Sequence, residues 1–332
     1  MNLDEHPTII KYRQKKEIQR PSVIDYKWIR EIALEAGADD VGFVEIDREE
    51  LSDQKADILR AFPKTKTIIS FVYRLNQPQI QSNDRTLPDS EFVSIESEMK
   101  KTSRAVVKTL RQNGIGAVTP SDNFPMDMLK WPGKIWTVSH KTVAATAGLG
   151  KIGHNRLLIH PVFGNYICLG TMLIDGVVSK YNEPIDFNPC IECKLCVSVC
   201  PTRAISKTGE YDFFSCMAHA YRDRLGGFVD WTESLVTSTN MDEYREKRND
   251  SETMAVWQSL THSGGYRCGY CMSVCPAGEE VIGSYIDNKK EYVSSVVKPL
   301  QERSEPVYII KGMDAEKSVP KKFPNKVVRP VG

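Results

Sequence analysis

Eight of the nine cysteines lie between Cys190 and Cys275, and their spacing is the feature of the sequence that could do chemistry. The run C-x2-C-x2-C-x3-C-P that begins at Cys190 has the spacing of the bacterial ferredoxin run. In that run three thiolates hold one iron–sulfur cluster and the fourth thiolate ligates another. Three cysteines spaced three residues apart on a tight turn can direct their sulfurs to three corners of one cubane. A second, complementary run is therefore predicted downstream.

The second run is Cys268-x2-Cys271-x3-Cys275-Pro276, and one member is missing because residue 265 is a glycine. Cys216 is the only cysteine inside the insert 201–267, so we assign it the missing role. The predicted ligands of the first cluster are Cys190, Cys193, Cys196 and Cys275, and those of the second cluster are Cys200, Cys216, Cys268 and Cys271. Structural zinc sites also use C-x2-C pairs, but zinc requires neither the triple run nor the two Cys-Pro endings.

The composition is that of an ordinary globular chain of 332 residues, which suggests about two domains. With 44 basic and 43 acidic residues, the overall charge indicates neither a nucleic acid nor a membrane surface as a partner. No apolar run approaches the roughly 18 residues of a spanning helix, and the first residues lack the apolar core of a signal peptide. We therefore expect a cytosolic protein whose cysteines stay reduced.

Cys168 lies apart on an apolar strand and is expected to be a buried, inert thiol.

The first half of the chain alternates helix and strand patterns, which predicts an α/β (or α+β) domain. Asp25 should cap a helix that ends at Gly37, and a long helix should run from about residue 90 to residue 112. Strands are predicted at 41–46, 67–75, 115–119 and 166–174. The linker-like stretch KYNEPIDFNP places a domain boundary near residue 180, so an α/β domain is predicted at 1–180. A ferredoxin-like two-cluster domain with the insert 201–267 is predicted at 181–290, and a C-terminal extension at 291–332. The basic tail 311–332 is interpreted as solvated or packed rather than as a nucleic-acid-binding arm.

The segment Gly148-Leu-Gly150-Lys-Ile-Gly153 fits the dinucleotide fingerprint G-x-G-x-x-G, with Asp175 about 20 residues further on. A dinucleotide site requires a strand before the glycines and a long helix after them. Here a helix pattern precedes the glycines, and Pro161 cuts short any helix after them. We therefore predict no nicotinamide site, and note that closely spaced glycines also let a backbone approach any large planar ligand.

The chain resembles the epoxyqueuosine reductases and their relatives, the reductive dehalogenases, in three features that follow one another in sequence. They are the segment AGLGKIGHNRLLIHPVFG at 147–164, the strand that ends at Asp175, and the two-cluster module with an additional cysteine in its insert. This resemblance implies an N-terminal domain similar to the flavin nitroreductases that holds base-off cobalamin beside a ferredoxin-like domain. By position, it implies that Gly148, Gly150, Gly153 and Asn155 line the corrinoid cavity. It also implies a low-potential external electron donor of the ferredoxin or flavodoxin type. Two one-electron clusters in series suit a two-electron reduction at a strongly reducing cobalt centre.

The sequence departs from the resemblance at the proton donor. Epoxyqueuosine reductases carry an acidic residue about 13 residues before the AGLG segment, where this chain has Lys134. His140 and Lys141, just before the glycines, are the main candidates, and the unperturbed pKa of histidine, about 6.5, favours His140. Alternatively, His140 caps the following helix or bonds a backbone carbonyl. Tyr166 is a further candidate by analogy with the tyrosine donor of the dehalogenases, although its strand position favours packing.

The first functional prediction is an iron–sulfur oxidoreductase that passes electrons through two [4Fe-4S] clusters to a bound cobalamin and reduces an unidentified substrate, a small molecule rather than tRNA. Two alternatives remain: an epoxyqueuosine reductase acting on tRNA, and a non-enzymatic electron carrier or corrinoid-handling protein. An enzyme requires a cavity with a positioned acid, whereas a carrier requires exposed clusters and a docking face.

Overall fold

The computed structural model describes residues 3–14, 20–130, 133–262 and 264–332. The helices before residue 180 are α1 (Pro7–Gln14), α2 (Tyr26–Glu35), α3 (Ser52–Ala61), α4 (Gln77–Gln81), α5 (Thr86–Gln112) and α6 (His140–Thr146). The strands of this part are β1 (Asp40–Glu45), β2 (Thr67–Arg74), β3 (Ala117–Val118), β4 (Lys151–Ile152), β5 (Leu158–Ile159) and β6 (Ile167–Ile174). Short 3-10 turns cover Leu3–Glu5, Glu49–Leu51 and Met128–Lys130.

A four-stranded sheet in the order β1-β2-β6-β3 forms the centre of this part. Every neighbouring pair is antiparallel, and β2 pairs with β6 along its whole length from Thr67 opposite Ile174 to Arg74 opposite Ile167. The predicted helices and strands are present, and their ends differ from the predicted ones by at most four residues. An antiparallel sheet flanked by helices is an α+β arrangement, so the prediction of a mixed fold class is confirmed in that form.

Helices cover both faces of the sheet, which is why β2 is buried on both sides. On one face Ile69 and Phe71 pack with α2 and with α5, whose buried residues recur every three or four positions. On the other face Ile68 and Leu173 pack with α3 and α6. Asp25 caps α2 by accepting a hydrogen bond from the Lys27 backbone N–H at 3.0 Å, as the sequence predicts.

The remaining helices belong to the cysteine-rich part and its insert: α7 (Leu195–Val199), α8 (Phe213–Ala220), α9 (Gly226–Thr237), α10 (Met241–Lys247), α11 (Asp250–His262) and α12 (Tyr270–Ser273). They are followed by α13 (Gly283–Asp287), α14 (Lys289–Tyr292), a π-helical turn (Val293–Val297) and α15 (Lys298–Glu302). None of the helices in the described part of the chain is long and apolar enough to span a bilayer.

The end of the chain forms a compact unit of β7 (Glu305–Ile310), α16 (Asp314–Lys322) and β8 (Lys326–Val331). The two strands are parallel and share a small core with Val319 and Phe323 of α16. β7 packs against α8, and Arg222 just beyond α8 donates to the Pro306 carbonyl oxygen at 2.6 Å. The basic tail is therefore packed, one of the two predicted states, and it stabilises the helix that carries Cys216.

Candidate functional site

The first cysteine quartet forms around the loop that precedes α7. Burial raises the pKa of Cys275 to about 12, and the adjacent thiols of Cys193, Cys190 and Cys196 add to this shift. Two non-glycine residues in the loop, Glu192 and Lys194, adopt left-handed φ angles of 53° and 60°. Such conformations cost energy and cluster at functional sites, because the surroundings must impose them. The loop therefore turns tightly, and its cysteines lie close to Cys275.

The second quartet consists of the predicted residues Cys200, Cys216, Cys268 and Cys271. Burial raises the pKa of Cys271 well above its usual range, and the thiols of Cys268, Cys216 and Cys200 contribute in that order. The insert thus returns its single cysteine, on α8, to the end of α7 and the start of α12. The thiol of Cys196 also acts on Cys271, so the two quartets are adjacent.

These donor sets fit iron–sulfur clusters chemically. All nine cysteines are free of disulfides. Four neighbouring buried thiols cannot all ionise without a cationic partner, since burial and mutual repulsion disfavour the thiolates. The described residues contain no group of three His, Cys, Asp or Glu side chains arranged around a single metal ion. In a [4Fe-4S] cluster each thiolate binds a different iron, so the four sulfurs need not converge on one point.

Cys168 joins neither quartet. It lies on β6 opposite Tyr73 and packs against the main core. Burial raises its pKa to about 12, which suppresses the reactive thiolate. This placement agrees with the expected inert thiol.

A cavity of about 640 Å³ lies beside the second quartet, between the sheet domain and the insert. Residues 121–126 and 135–141 form one wall and β6 another, and α8 contributes Phe213 and Met217 on either side of Cys216. Met272 next to Cys271 also lines it. The ring of Trp136 meets that of Phe213 edge-on at 6.1 Å, which joins the two parts of the chain across the cavity. The volume is typical of a ligand site.

Several polar atoms in this cavity have no hydrogen-bond partner among the described residues. They are both amide atoms of Asn165, Oγ of Ser121 and Oδ1 of Asn123. Asn165 is only 1% exposed. A buried polar group without a partner costs about 1–3 kcal/mol, so such a concentration at one cavity indicates a polar ligand.

Two further cavities adjoin this one at Asp122. One of about 780 Å³ lies along α5, and the other, of about 590 Å³, lies between α5 and the insert helices. Asp122 lines all three cavities and has no ion-pair partner or hydrogen bond in the described chain. Each cavity by itself has the size of an ordinary ligand pocket, so the three together can accept a larger ligand.

His140 lines the 640 Å³ cavity, but protein atoms engage both of its ring nitrogens. Nε2–H donates to the Ser121 carbonyl oxygen at 3.0 Å, because a carbonyl can only accept. Nδ1 therefore accepts from the Thr171 hydroxyl group at 2.7 Å. Burial lowers the pKa of His140, which favours this neutral form. The alternative in which His140 bonds a backbone carbonyl is the one observed, and a direct donor role would require breaking that bond.

The other three donor candidates differ in position. Lys141 lines the cavity, and its Nζ donates to the Arg156 carbonyl oxygen at 2.9 Å. Lys134 is 2.9 Å from Asp57 on α3 and does not line the cavity. Tyr166 is buried, donates to the Ser273 carbonyl oxygen at 2.8 Å and does not line the cavity. The packing alternative for Tyr166 thus matches its surroundings, and Lys134 has a structural partner instead of a place in the site.

The glycines expected to line a corrinoid cavity contact the protein itself. Gly148 has a φ of 73° and a Cβ there would overlap the Glu183 carbonyl oxygen, while a Cβ at Gly150, with a φ of 155°, would overlap that of Ile159. Gly153 faces the Ile159 side chain in the same way. These glycines permit the tight passage from α6 into the β4–β5 hairpin, and none lines the three cavities described above. Asn155 donates to the Cys271 carbonyl oxygen at 3.3 Å, so it holds the backbone of one member of the second quartet.

Sequence reasoning missed Asp122, Asn165 and Ser121. The signal was faint: Ser121 to Asn123 is a short polar run in an irregular segment, and Asn165 follows a glycine before an apolar strand. Neither pattern has a fixed spacing to the cysteines. Only the folded chain brings them to one cavity.

The cysteine-rich part defines the class of protein. Residues 189–278 match the family described as 4Fe-4S double cluster binding domain, so the chain carries a double-cluster iron–sulfur module.

The relatives extend the resemblance. Over 139 residues the chain is 30% identical to the epoxyqueuosine reductase of Bacillus anthracis, a match that covers 42% of this chain and 29% of that protein. The matched part therefore spans less than a third of that relative. A solved epoxyqueuosine reductase with an epoxyqueuosine-modified tRNA stem loop is similar with a TM-score of 0.47 and 17% identity, over 75% of this chain and 64% of that one. A catabolic reductive dehalogenase in complex with 3-bromo-4-hydroxybenzoic acid has a TM-score of 0.48 and 15% identity, over 82% of this chain and 37% of the other. Over the matched 139 residues the chain thus resembles the epoxyqueuosine reductases.

Proposed function

We propose that the protein is a reductase in which electrons pass through the two clusters to a corrinoid bound in the 640 Å³ cavity. The observation that carries this proposal is the double role of α8. This helix contributes Cys216 to the second quartet and Phe213 and Met217 to the cavity wall. A cluster held by the second quartet is therefore within short range of any ligand in the cavity.

The order of the quartets gives the electrons a direction. Ile191 in the first loop is 46% exposed, and Cys190 and Cys193 are partly exposed. Residues beside Cys216 and Cys271 of the second quartet line the cavity, whereas no residue of the first loop does. An external low-potential donor would then dock at the first loop, and electrons would leave from the second quartet toward the cavity.

A corrinoid supplies a strongly reducing cobalt centre for two-electron reduction. The chain would supply no imidazole ligand to the cobalt from this cavity, because the one histidine that lines it in the described chain, His140, has both ring nitrogens engaged. The base-off form is part of this proposal. Apolar side chains such as Ile167 and Leu169 would pack against a macrocycle, and the unpartnered amide and hydroxyl groups would bind its polar substituents. An N-terminal domain related to the flavin nitroreductases is part of this proposal, and flavin is the alternative occupant.

We assign the role of proton donor to Asp122 instead of His140. Reduction of an epoxide or a similar group develops negative charge on the substrate, so a donor must approach to about 3 Å, directly or through one water. Asp122 is a carboxyl group that lines all three cavities. His140 holds the Ser121 carbonyl next to it and thereby fixes the Asp122 backbone, which makes His140 a positioning residue. A cavity with a positioned acid favours an enzyme over an electron carrier.

A second candidate function, reduction of epoxyqueuosine in RNA, has its own supporting observation. Lys100, Arg104, Lys108 and Arg111 occupy one face of α5 and line the 780 Å³ cavity. These four exposed side chains have no ion pair in the described chain, and such a basic face suits a phosphate backbone. Relatives such as the epoxyqueuosine reductases of Bacillus anthracis and Lactococcus garvieae also favour this substrate class over an unrelated small molecule.

Binding of a stem–loop RNA tests this second candidate. Alanine at Lys100, Arg104 and Lys108 should weaken binding of an epoxyqueuosine-carrying stem loop by about tenfold or more at 0.1 M salt and flatten its salt dependence. Alanine at Lys317 and Lys321, exposed on α16, is the matched control and should leave both unchanged. Equal affinity in all three proteins would eliminate this basic face as the RNA site.

Titration with cob(II)alamin, followed by electron paramagnetic resonance, tests the main proposal. Protein with reconstituted clusters should bind it in the base-off form, without the nitrogen splitting of a coordinated base, and should bind no nicotinamide cofactor. A spectrum that retains the base-on splitting contradicts the proposed site geometry, and an unchanged spectrum would make flavin the next candidate.

A further inference from the structure

Asn165 is a buried amide that the fold leaves without a partner. It follows Gly164, which permits the turn from Phe163 into β6 with a φ of 65°. Both the nitrogen and the oxygen of its side chain are buried and lack a hydrogen-bond partner in the described chain. Ser121 and Asn123 each contribute one more buried polar atom without a partner in the described chain. Like Asn165, both residues line the 640 Å³ cavity.

The chemistry of the amide determines what it can bind. Its NH2 group only donates and its carbonyl oxygen only accepts, and the two lie side by side in one plane. A ligand group that satisfies both must offer an acceptor and a donor in the same arrangement, as a primary carboxamide does. A carboxylate offers two acceptors, so it would leave the Asn165 oxygen unpaired and opposed by a negative charge.

The residues around Asn165 strengthen its preference for a carboxamide over a carboxylate. Leu157, Leu158, Ile167 and Leu169 line the same cavity, and this apolar wall disfavours an unpaired charge next to Asn165. A site that hydrogen-bonds a specific polar group rejects analogues that lack it, because its own buried groups are then left unpaired.

We propose that Asn165 is a specificity-determining residue that pairs with a peripheral primary carboxamide of the corrinoid. This inference rests on the proposed function and goes beyond it: the protein distinguishes a fully amidated corrinoid from one in which that carboxamide is a free acid. Asn165 acts by binding and takes no part in electron or proton transfer.

The test compares two ligand types on two proteins, wild type and Asn165→Ala, each with reconstituted clusters. The ligands are cobalamin and its derivatives in which one peripheral carboxamide at a time has been hydrolysed to a carboxylate, and dissociation constants are measured by absorbance titration. Wild type should bind one of these derivatives about tenfold or more weakly than cobalamin, which corresponds to one hydrogen-bonded group. Asn165→Ala should bind cobalamin about tenfold more weakly than wild type and should lose that discrimination.

The control separates binding from folding. Ser70→Ala also removes a buried hydroxyl without a partner, at a position outside the cavity lining, and should leave affinity unchanged. Because Asn165 has no partner in the described protein, Asn165→Ala without corrinoid should retain the wild-type iron content and unfolding temperature. If wild type binds cobalamin but Asn165→Ala binds it equally well or keeps the discrimination, the inference is wrong. If wild type does not bind cobalamin at all, the proposed function fails first.

Discussion

Replacement of Cys216 by alanine should reduce the iron content of the anaerobically reconstituted protein from about eight irons per chain toward about four, the content of one remaining [4Fe-4S] cluster. The reason is geometric. Cys216 is the insert's single thiol, and α8 brings it to Cys200, Cys268 and Cys271, where its removal leaves three thiolates for four irons. Iron and acid-labile sulfide are determined on the same samples.

Cys168→Ala is the matched control, because it removes a buried thiol that belongs to neither quartet. It should retain about eight irons and eight sulfides. Equal loss of iron in both variants, or full iron in Cys216→Ala, would show that the second cluster has a different fourth ligand. Stoichiometric zinc in the wild-type protein would overturn the cluster assignment altogether.

Replacement of Asp122 by asparagine should lower turnover by roughly 10²-fold or more, because a general acid typically contributes 10²–10⁴-fold. Asparagine keeps the size of the side chain but has no acidic proton. Iron content should remain at the wild-type value, since Asp122 belongs to neither cysteine quartet. Single-turnover kinetics on the loaded enzyme measure the effect.

His140→Ala is the comparison that distinguishes a donor from a positioning residue. It removes the bond to the Ser121 carbonyl oxygen, so turnover should fall less than in Asp122→Asn. His140→Gln, which can still donate to that carbonyl oxygen, should restore part of the loss. If His140→Ala loses turnover 10²-fold while Asp122→Asn does not, the histidine is the donor and our assignment is wrong.

The sequence predicts the grouping of the cysteines into two quartets because cluster ligation depends on local spacing, and the assignment of the ligands stays a prediction. C-x2-C-x2-C fixes three sulfurs on one turn, and the missing member at Gly265 identifies Cys216 by elimination. The helices α2 and α5 and the strand β2 are equally local, since their apolar periodicity follows directly from burial on one or both faces.

The cavity could not be predicted in the same way. Asp122 and Asn165 are separated by more than forty residues and meet only when β6 and the irregular segment before α6 pack together. The cofactor-binding role that the resemblance implies for Gly148 and Gly150 stays a prediction, and their close contact in the structure is with the protein's own carbonyl oxygens. A glycine pattern indicates that some group approaches the backbone closely, but the sequence does not identify that group.

The C-terminal unit was missed for a related reason. The parallel pairing of β7 with β8 is a non-local contact across α16, and Pro306 and Pro330 weaken the strand pattern of both. The sequence does not predict the packing of this unit on α8 either, although that packing supports the helix that carries Cys216.

Reoxidation of the reduced clusters by bound cobalamin tests the central claim most directly. The clusters are reduced chemically under anaerobic conditions, excess reductant is removed, and cob(II)alamin is added while the absorbance and paramagnetic resonance of both centres are followed. We predict that the signal of the reduced clusters decays as the cobalamin is reduced, and that Cys216→Ala slows this transfer sharply. Clusters that remain reduced in the presence of tightly bound cobalamin would contradict the account.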